Sequence, residues 1–264
     1  MTQQGKRVWI TTIGVIGLTI GFLGASVLAH FAAVRTPMTI HYAIQDASGA
    51  RQSSGGYTMY YRSDGASVFE NLGTPSPRGL LRPTRIISLP RQATMMNFDP
   101  ETNMVFTFGM GSSEIYASQR RVARSDSQSS CMKELVALLG PGSDRVCEST
   151  GELVLGFKVW KTRARVGPRD RPVIFETYLA PALDWRLLKQ DSIEKGKLIG
   201  RIVATNVTLG DPSDQLFRVP RTAKVVTTRE YGKAGRQARG QPRCESCEAA
   251  AEDGPLVNKV PPVY

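Results

Sequence analysis

Histidine is almost missing from this 264-residue chain, which has only His30 and His41. Hydrolase triads, general-base histidines and imidazole-ligated zinc all need that side chain. Neither of these two stands at a metal-ligand spacing from another ligand. A phosphate loop is missing too: "GMGSSE" at 109–114 has no lysine and no strand-to-helix setting, so it reads as a turn. Glu176 and Asp184 could pair as carboxylates, but any strand-rich chain offers such pairs by chance. The sequon Asn206-Val207-Thr208 sits in a strand pattern and carries little weight. The expectation is a protein that is not an enzyme, with no catalytic residue, no metal site and no cofactor.

Residues 8–34 contain no Asp, Glu, Lys or Arg, and they follow Lys6-Arg7 and end at Arg35. A bilayer crossing needs ~20 mostly apolar residues, which this run supplies. Val27-Leu28-Ala29 before His30 also fits a signal-peptidase pattern. Residues 1–35 are therefore a signal peptide or a retained anchor, and the length of the apolar run favours the anchor. In both readings the basic pair keeps the short N-terminus inside and sends the rest of the chain outside. The expected location is the inner membrane with the main domain in the periplasm, or the soluble periplasm after cleavage. No cysteine precedes position 131, so a lipid-modified N-terminal cysteine is excluded.

Export changes the reading of the four cysteines, because an even count outside the cytoplasm is what a disulfide framework gives. Bridging Cys131 to Cys147 would stabilise by ~3 kcal/mol in the chain-entropy model. Four cysteines allow three connectivities, and the spacing does not choose among them. Cys244 and Cys247, in "RCESCEAA", lack the βαβ setting of a thioredoxin-like centre and the further ligands that zinc needs. They are expected joined to each other or to a partner, with thiol-disulfide exchange through Cys244 and Cys247 as a weaker alternative.

The formal charge is +11 with a pI near 9.7. On an exported chain this points to anionic headgroups, lipopolysaccharide or acidic wall polymers, and not to nucleic acid. Arg78, Arg82, Arg85 and Arg91 fall between 71 and 98, where there is no acidic residue, and Arg120, Arg121 and Arg124 form a second cluster. A solvated basic face reads the same way.

Beyond residue 35 the pattern is of strands broken by turns. "MTIHYAI" and "YTMYYRS" flank a Gly/Ser-rich loop at 45–56, and "SDGA" at 63–66 is a hairpin turn with positive φ at its Asp-Gly pair. "TRIISLP" is extended. In "ATMMNFDPETNMVFTFGM" the Asp-Pro pair marks a turn, and Met104, Phe106, Phe108 and Met110 share one face. Residues 112–130 read as a polar arm. "CMKELVALLG" is an amphipathic helix over 131–139, ended by Gly140 and laid across the sheet as a lid. Residues 151–166 form one strand, with Leu153, Leu155, Phe157 and Val159 on the core side and Lys158, Trp160 and Thr162 opposite. Further strands follow in "RPVIFETYLAP", "LDWRLLKQDS" and "KLIGRIVATNVTL". Asp211 caps a short helical turn, and "AKVVTTREY" is a last edge strand. The economical parse is one β-rich domain over 36–230 and a tail over 231–264 without apolar period.

The run "VLGFKV", "ETYLAPALDWRLLK" and "GRIVATNVTLGDPSDQLFRVP" resembles exported bacterial proteins similar in fold to lipoprotein carriers of the LolA/LppX type. The resemblance covers mainly 57–110 and 153–228. It implies a mainly β fold: a single curved antiparallel sheet, or half-barrel, plugged by one or two helices and following the N-terminal span. It also implies a hollow that holds acyl chains. Met104, Phe106, Phe108, Leu155 and Phe157 are the expected lining. The expected partners are the membrane, through the span, a lipid or acyl ligand, and an envelope protein reached through the C-terminal tail; the alternative to ligand binding is a membrane-anchored interaction or scaffold module of an envelope assembly, working through its span and tail.

Overall fold

In a computed structural model of the chain, the described residues are 36–47, 51–71, 83–110, 126–139, 145–166, 172–227 and 230–231. The apolar run 8–34, the Arg120 cluster, and Cys244 and Cys247 lie outside them. Among the described residues no helix is long and apolar enough to cross a membrane.

Among the described residues, twelve strands form one open sheet. Strands β1 (Met38–Asp46), β2 (Arg51–Tyr61), β3 (Ser67–Asn71), β4 (Thr84–Leu89), β5 (Thr94–Asp99) and β6 (Met104–Gly109) form a first antiparallel meander. A second runs through β7 (Val146–Val154), β8 (Phe157–Val166), β9 (Val173–Ala180), β10 (Arg186–Glu194) and β11 (Lys197–Leu209). Antiparallel pairing of β1 with β11 joins the two meanders. The short β12 (Lys224–Val225) adds in parallel to β6 at one edge, and β7 is the other edge.

The sheet is strongly curved. Strands β2 and β10 are three places apart, which in a flat sheet would separate them by about 14 Å. Yet the Arg186 guanidinium lies 4.2 Å from the Tyr61 ring centroid, and the Tyr42 hydroxyl donates to the Leu187 carbonyl at 2.6 Å. Side chains meet across intervening strands only on the inside of a curl. The inner face of β1–β3 carries Met38, Ile40, Tyr42, Tyr57, Met59, Tyr61 and Phe69, all buried in one core with Trp160, Leu179 and Trp185. An open curved sheet plugged by a helix is the architecture that the resemblance implies.

Helix α1 (Gln128–Leu139) supplies the plug. Cys131 and Leu135 enter the central core, and a disulfide joins Cys131 to Cys147 of β7 across a Cα separation of 6.0 Å. The helix begins three residues before the expected start, because the Ser127 hydroxyl caps it by accepting the Ser130 N–H at 3.3 Å. Pinned in this way α1 is a fixed plug at the β7 end.

The outer face has its own core over the first meander. Val68, Ile87, Leu89, Met96, Phe98 and Val105 pack beneath Phe217 and Val219. Those two residues belong to the segment after β11, which includes a 3-10 turn, Asp214–Phe217. Ser213, not Asp211, caps that turn: its hydroxyl accepts the Gln215 N–H at 3.4 Å, while Asp211 accepts from the Ser63 N–H at 3.2 Å.

Three turns differ from expectation. The loop at 45–56 is mostly strand, and Gly56 is required there, since a Cβ would lie 2.6 Å from the Tyr42 carbonyl oxygen. In the 62–66 turn only Gly65 has positive φ (89°), while Asp64 accepts from the Ala66 N–H at 3.0 Å, as in a three-residue hairpin. Residues 151–166 are not one strand. Leu155 (φ 52°) and Gly156 (φ 81°) turn the chain between β7 and β8. Val159 and Trp160, consecutive on β8, are both buried, so that strand is covered on both sides and not on one.

Candidate ligand-binding face

Two ladders of paired residues cross the inner face of the first meander. One reads Ile40, Met59, Phe69, Ile86, Asn97, Phe106, and the next Met38, Tyr61, Ser67, Ser88, Met95, Phe108. Burial decreases along the first: Ile40 and Met59 are inaccessible, whereas Ile86, Asn97 and Phe106 are half-buried. The inner face of β1–β3 is therefore filled core, and on β4–β6 the half-buried positions are Ile86, Asn97, Phe106 and Phe108, beside the buried Ser88 and Met95.

The filled part is aromatic. Tyr57 stacks on Tyr42 at 4.6 Å and contacts Phe69 at 5.1 Å. Burial pushes the phenols of Tyr42, Tyr57 and Tyr61 well above their ordinary value. They stay neutral through the physiological range and serve as donors, as Tyr42 does to Leu187.

The half-buried part carries an aromatic strip. Phe106 and Phe108 lie two residues apart on β6 with ring centroids 5.5 Å apart. Met104 shares their face, and Phe108 packs with Ile86, Met95 and Met110. Ile86 also packs against the central core, so the apolar surface is continuous from the strip inward. Tyr231 stands edge-on to Phe106 at 4.8 Å, and its hydroxyl donates to Asn97 Oδ1 at 3.2 Å.

Of the expected lining, Met104, Phe106 and Phe108 lie on one face of β6, and the two phenylalanine rings are in contact. Leu155 and Phe157 lie at the other end of the strand order, on the β7–β8 hairpin: Leu155 is 46% exposed in its turn, and Phe157 packs onto the central core. Glu176 and Asp184 do not pair. Glu176 is bound by Lys161 at 2.8 Å and Arg163 at 3.3 Å on the outer face, and Asp184 accepts the Thr36 N–H at 2.8 Å. Glu176 instead opposes Asp191 in the β9–β10 ladder, where Arg201 offsets the second charge through two hydrogen bonds of 2.5 and 3.0 Å. Among the described residues no group of three or more His, Cys, Asp or Glu could hold a metal ion.

Sequence reasoning missed Asn97 and Tyr231. The signal for Tyr231 was present in "TTRE": Thr227 and Glu230 form a capping box. Glu230 Oε2 accepts the Thr227 N–H at 2.8 Å, and the Thr227 hydroxyl accepts the Glu230 N–H at 3.2 Å. The Thr227 amide holds the Glu230 carboxyl below its ordinary value.

An open half-barrel with an aromatic inner strip is the class that this geometry defines. No family model and no curated protein matches the chain. Among solved structures it is similar to a conserved uncharacterised protein from Thermus thermophilus, at 18% identity and a TM-score of 0.43, over 73% of this chain and 90% of that one. It is also similar to a chain of the Pseudomonas aeruginosa MucA/MucB complex, at 15% identity and a TM-score of 0.33, over 78% of this chain and 64% of that one, less than two thirds of its length. A third likeness is to a candidate lipoprotein from Parabacteroides distasonis, at 10% identity and a TM-score of 0.29, over 67% of this chain and 98% of that one.

Proposed function

We propose that this chain is an exported, non-enzymatic binding protein of the cell envelope that holds an apolar or amphiphilic ligand, such as a lipid or an acyl chain, on the inner side of β4–β6. The observation that carries the reading is the half-buried strip of Ile86, Met104, Phe106 and Phe108, continuous with the filled core beside it. A globular chain gains about 25 cal/mol for each Å² of apolar surface removed from water. An acyl chain laid along this strip would complete that burial. Export is supported by the apolar run 8–34 behind Lys6-Arg7 and by the buried Cys131–Cys147 disulfide, which persists in an oxidising compartment.

Native mass spectrometry after mild extraction is expected to find lipid co-purifying with the protein, and the purified chain to take up cis-parinaric acid. The double variant F106A/F108A should bind the probe at least about tenfold more weakly, since each ring offers a large apolar contact. A ligand-free mass together with no uptake, by the full chain or by any folded variant that keeps Phe106 and Phe108, would refute the reading.

A further inference from the structure

We propose that Tyr231 is a displaceable latch: it lies on the ligand strip and must leave it when an acyl chain binds. The inference rests on the ligand-face reading above. The segment after β11 first crosses the outer face, where Phe217 and Val219 are buried, and then reaches the sheet edge at β12. There the Val226 N–H donates to the Val105 carbonyl at 2.9 Å, and Val226 is buried. Up to that residue the chain is fastened by backbone ladder bonds and by core packing.

Among the described residues beyond Val226 the attachments change in kind. Thr227 and Glu230 bond to each other, at exposed positions, and the Tyr231 N–H closes the turn on the Thr227 carbonyl at 3.0 Å. These bonds join Thr227, Glu230 and Tyr231 to one another and not to the sheet. Among the described residues, Tyr231 meets the sheet through its edge-on contact with Phe106 and its hydroxyl bond to Asn97 Oδ1. Asn97 and Phe106 are directly opposed across the β5–β6 ladder, so one side chain engages both members of a single cross-strand pair. An apolar body with one polar tip is also the outline of the proposed ligand, and the two compete for the same surface. Asn97 suits this exchange, because its amide can accept from the phenol or donate to a carboxylate.

A ligand whose competent state is only partly populated binds more weakly by that fraction. Removing the latch therefore tightens binding. The full chain and its Tyr231→Ala and Tyr231→Phe variants are titrated with cis-parinaric acid, with circular dichroism as a folding control. Tyr231→Ala is expected to bind roughly tenfold more tightly, as when a competent fraction of about one tenth rises to one. Tyr231→Phe keeps the ring but loses the bond to Asn97, and should fall between the two. Uptake by Tyr231→Ala alone also supports the latch. Equal affinity in wild type and Tyr231→Ala overturns the latch and leaves the ligand face standing. Weaker binding by Tyr231→Ala makes Tyr231 part of the lining and overturns displacement. Uptake by none of the three proteins overturns the ligand face and the latch with it.

Discussion

Asp64 holds the first tight turn from several directions. Its Oδ1 accepts from the Ala66 N–H at 3.0 Å and from Arg62 Nε at 2.9 Å, and Arg62 in turn reaches Asp214 at 3.0 Å and lies 4.7 Å over the Phe217 ring. One carboxylate thus orients the arginine that fastens the outer-face segment. The bond from Arg62 is the main reason the Asp64 carboxyl sits below its ordinary value. A group whose folded-state pKa is depressed stabilises the fold above its unfolded pKa and loses that contribution as pH falls through the folded value. Asp64→Asn keeps an oxygen for the Ala66 N–H but removes the charge, so it should cost about 1 kcal/mol at neutral pH. In urea titrations the gap between wild type and variant should shrink below about pH 4, the ordinary range of the carboxyl. A gap that stays constant down to the acid limit would show that the charge contributes nothing.

At the scale of elements, the disulfide fixes α1 against β7, with the Gln128 side-chain amide donating to the Cys147 carbonyl at 3.2 Å. In the Cys131→Ser/Cys147→Ser variant, global stability should fall by about 3 kcal/mol, the loop-closure value for this spacing. Hydrogen exchange should show α1 amides losing protection before those of β1–β5, and uniform loss across the chain would contradict a locally pinned helix. Most strands of the first meander were legible because alternation and turn residues agree there: Gly65 and the Asp99-Pro100 turn punctuate apolar runs, whereas the Gly/Ser-rich first half of β2 read as loop. Two features were hidden. Leu155-Gly156 is a two-residue turn without the Asn or Asp that usually marks one, so the alternation runs through it unbroken. The capping box at Thr227 and Glu230 lies inside a stretch whose Val225-Val226 pair reads as strand, and β12 in fact uses only two residues. At the candidate site, alternation identified Met104, Phe106 and Phe108 as neighbours on one face. It could not tell which part of that face is open, because burial there depends on curvature, which residue spacing does not encode.

For the whole molecule the question is how two meanders joined by one strand pair behave as a unit. The β1–β11 ladder gives them a shared sheet, and curvature gives them a shared core, in which Tyr42 and Tyr61 of the first meander meet Leu187 and Arg186 of the second. The segment after β11 adds a second tie, returning to pack on the outer face of the first meander and to pair with β6. If the shared core is what couples the halves, probes of the two should report a single unfolding transition. The fluorescence of Trp160 and Trp185 reports on the second meander, whereas far-ultraviolet circular dichroism reports on the whole sheet. The two curves should coincide in the wild type. Tyr42→Phe removes a buried hydrogen bond, and Arg186→Met removes a buried cation from the Tyr61 ring while roughly preserving volume. Each should cost about 1–2 kcal/mol, and because both act across the same interface their combined effect should depart from additivity. In the double variant the tryptophan transition should separate from the circular dichroism curve. Curves that still coincide, with strictly additive losses, would place the coupling in the β1–β11 ladder and the outer-face segment, not in the core that the curvature creates.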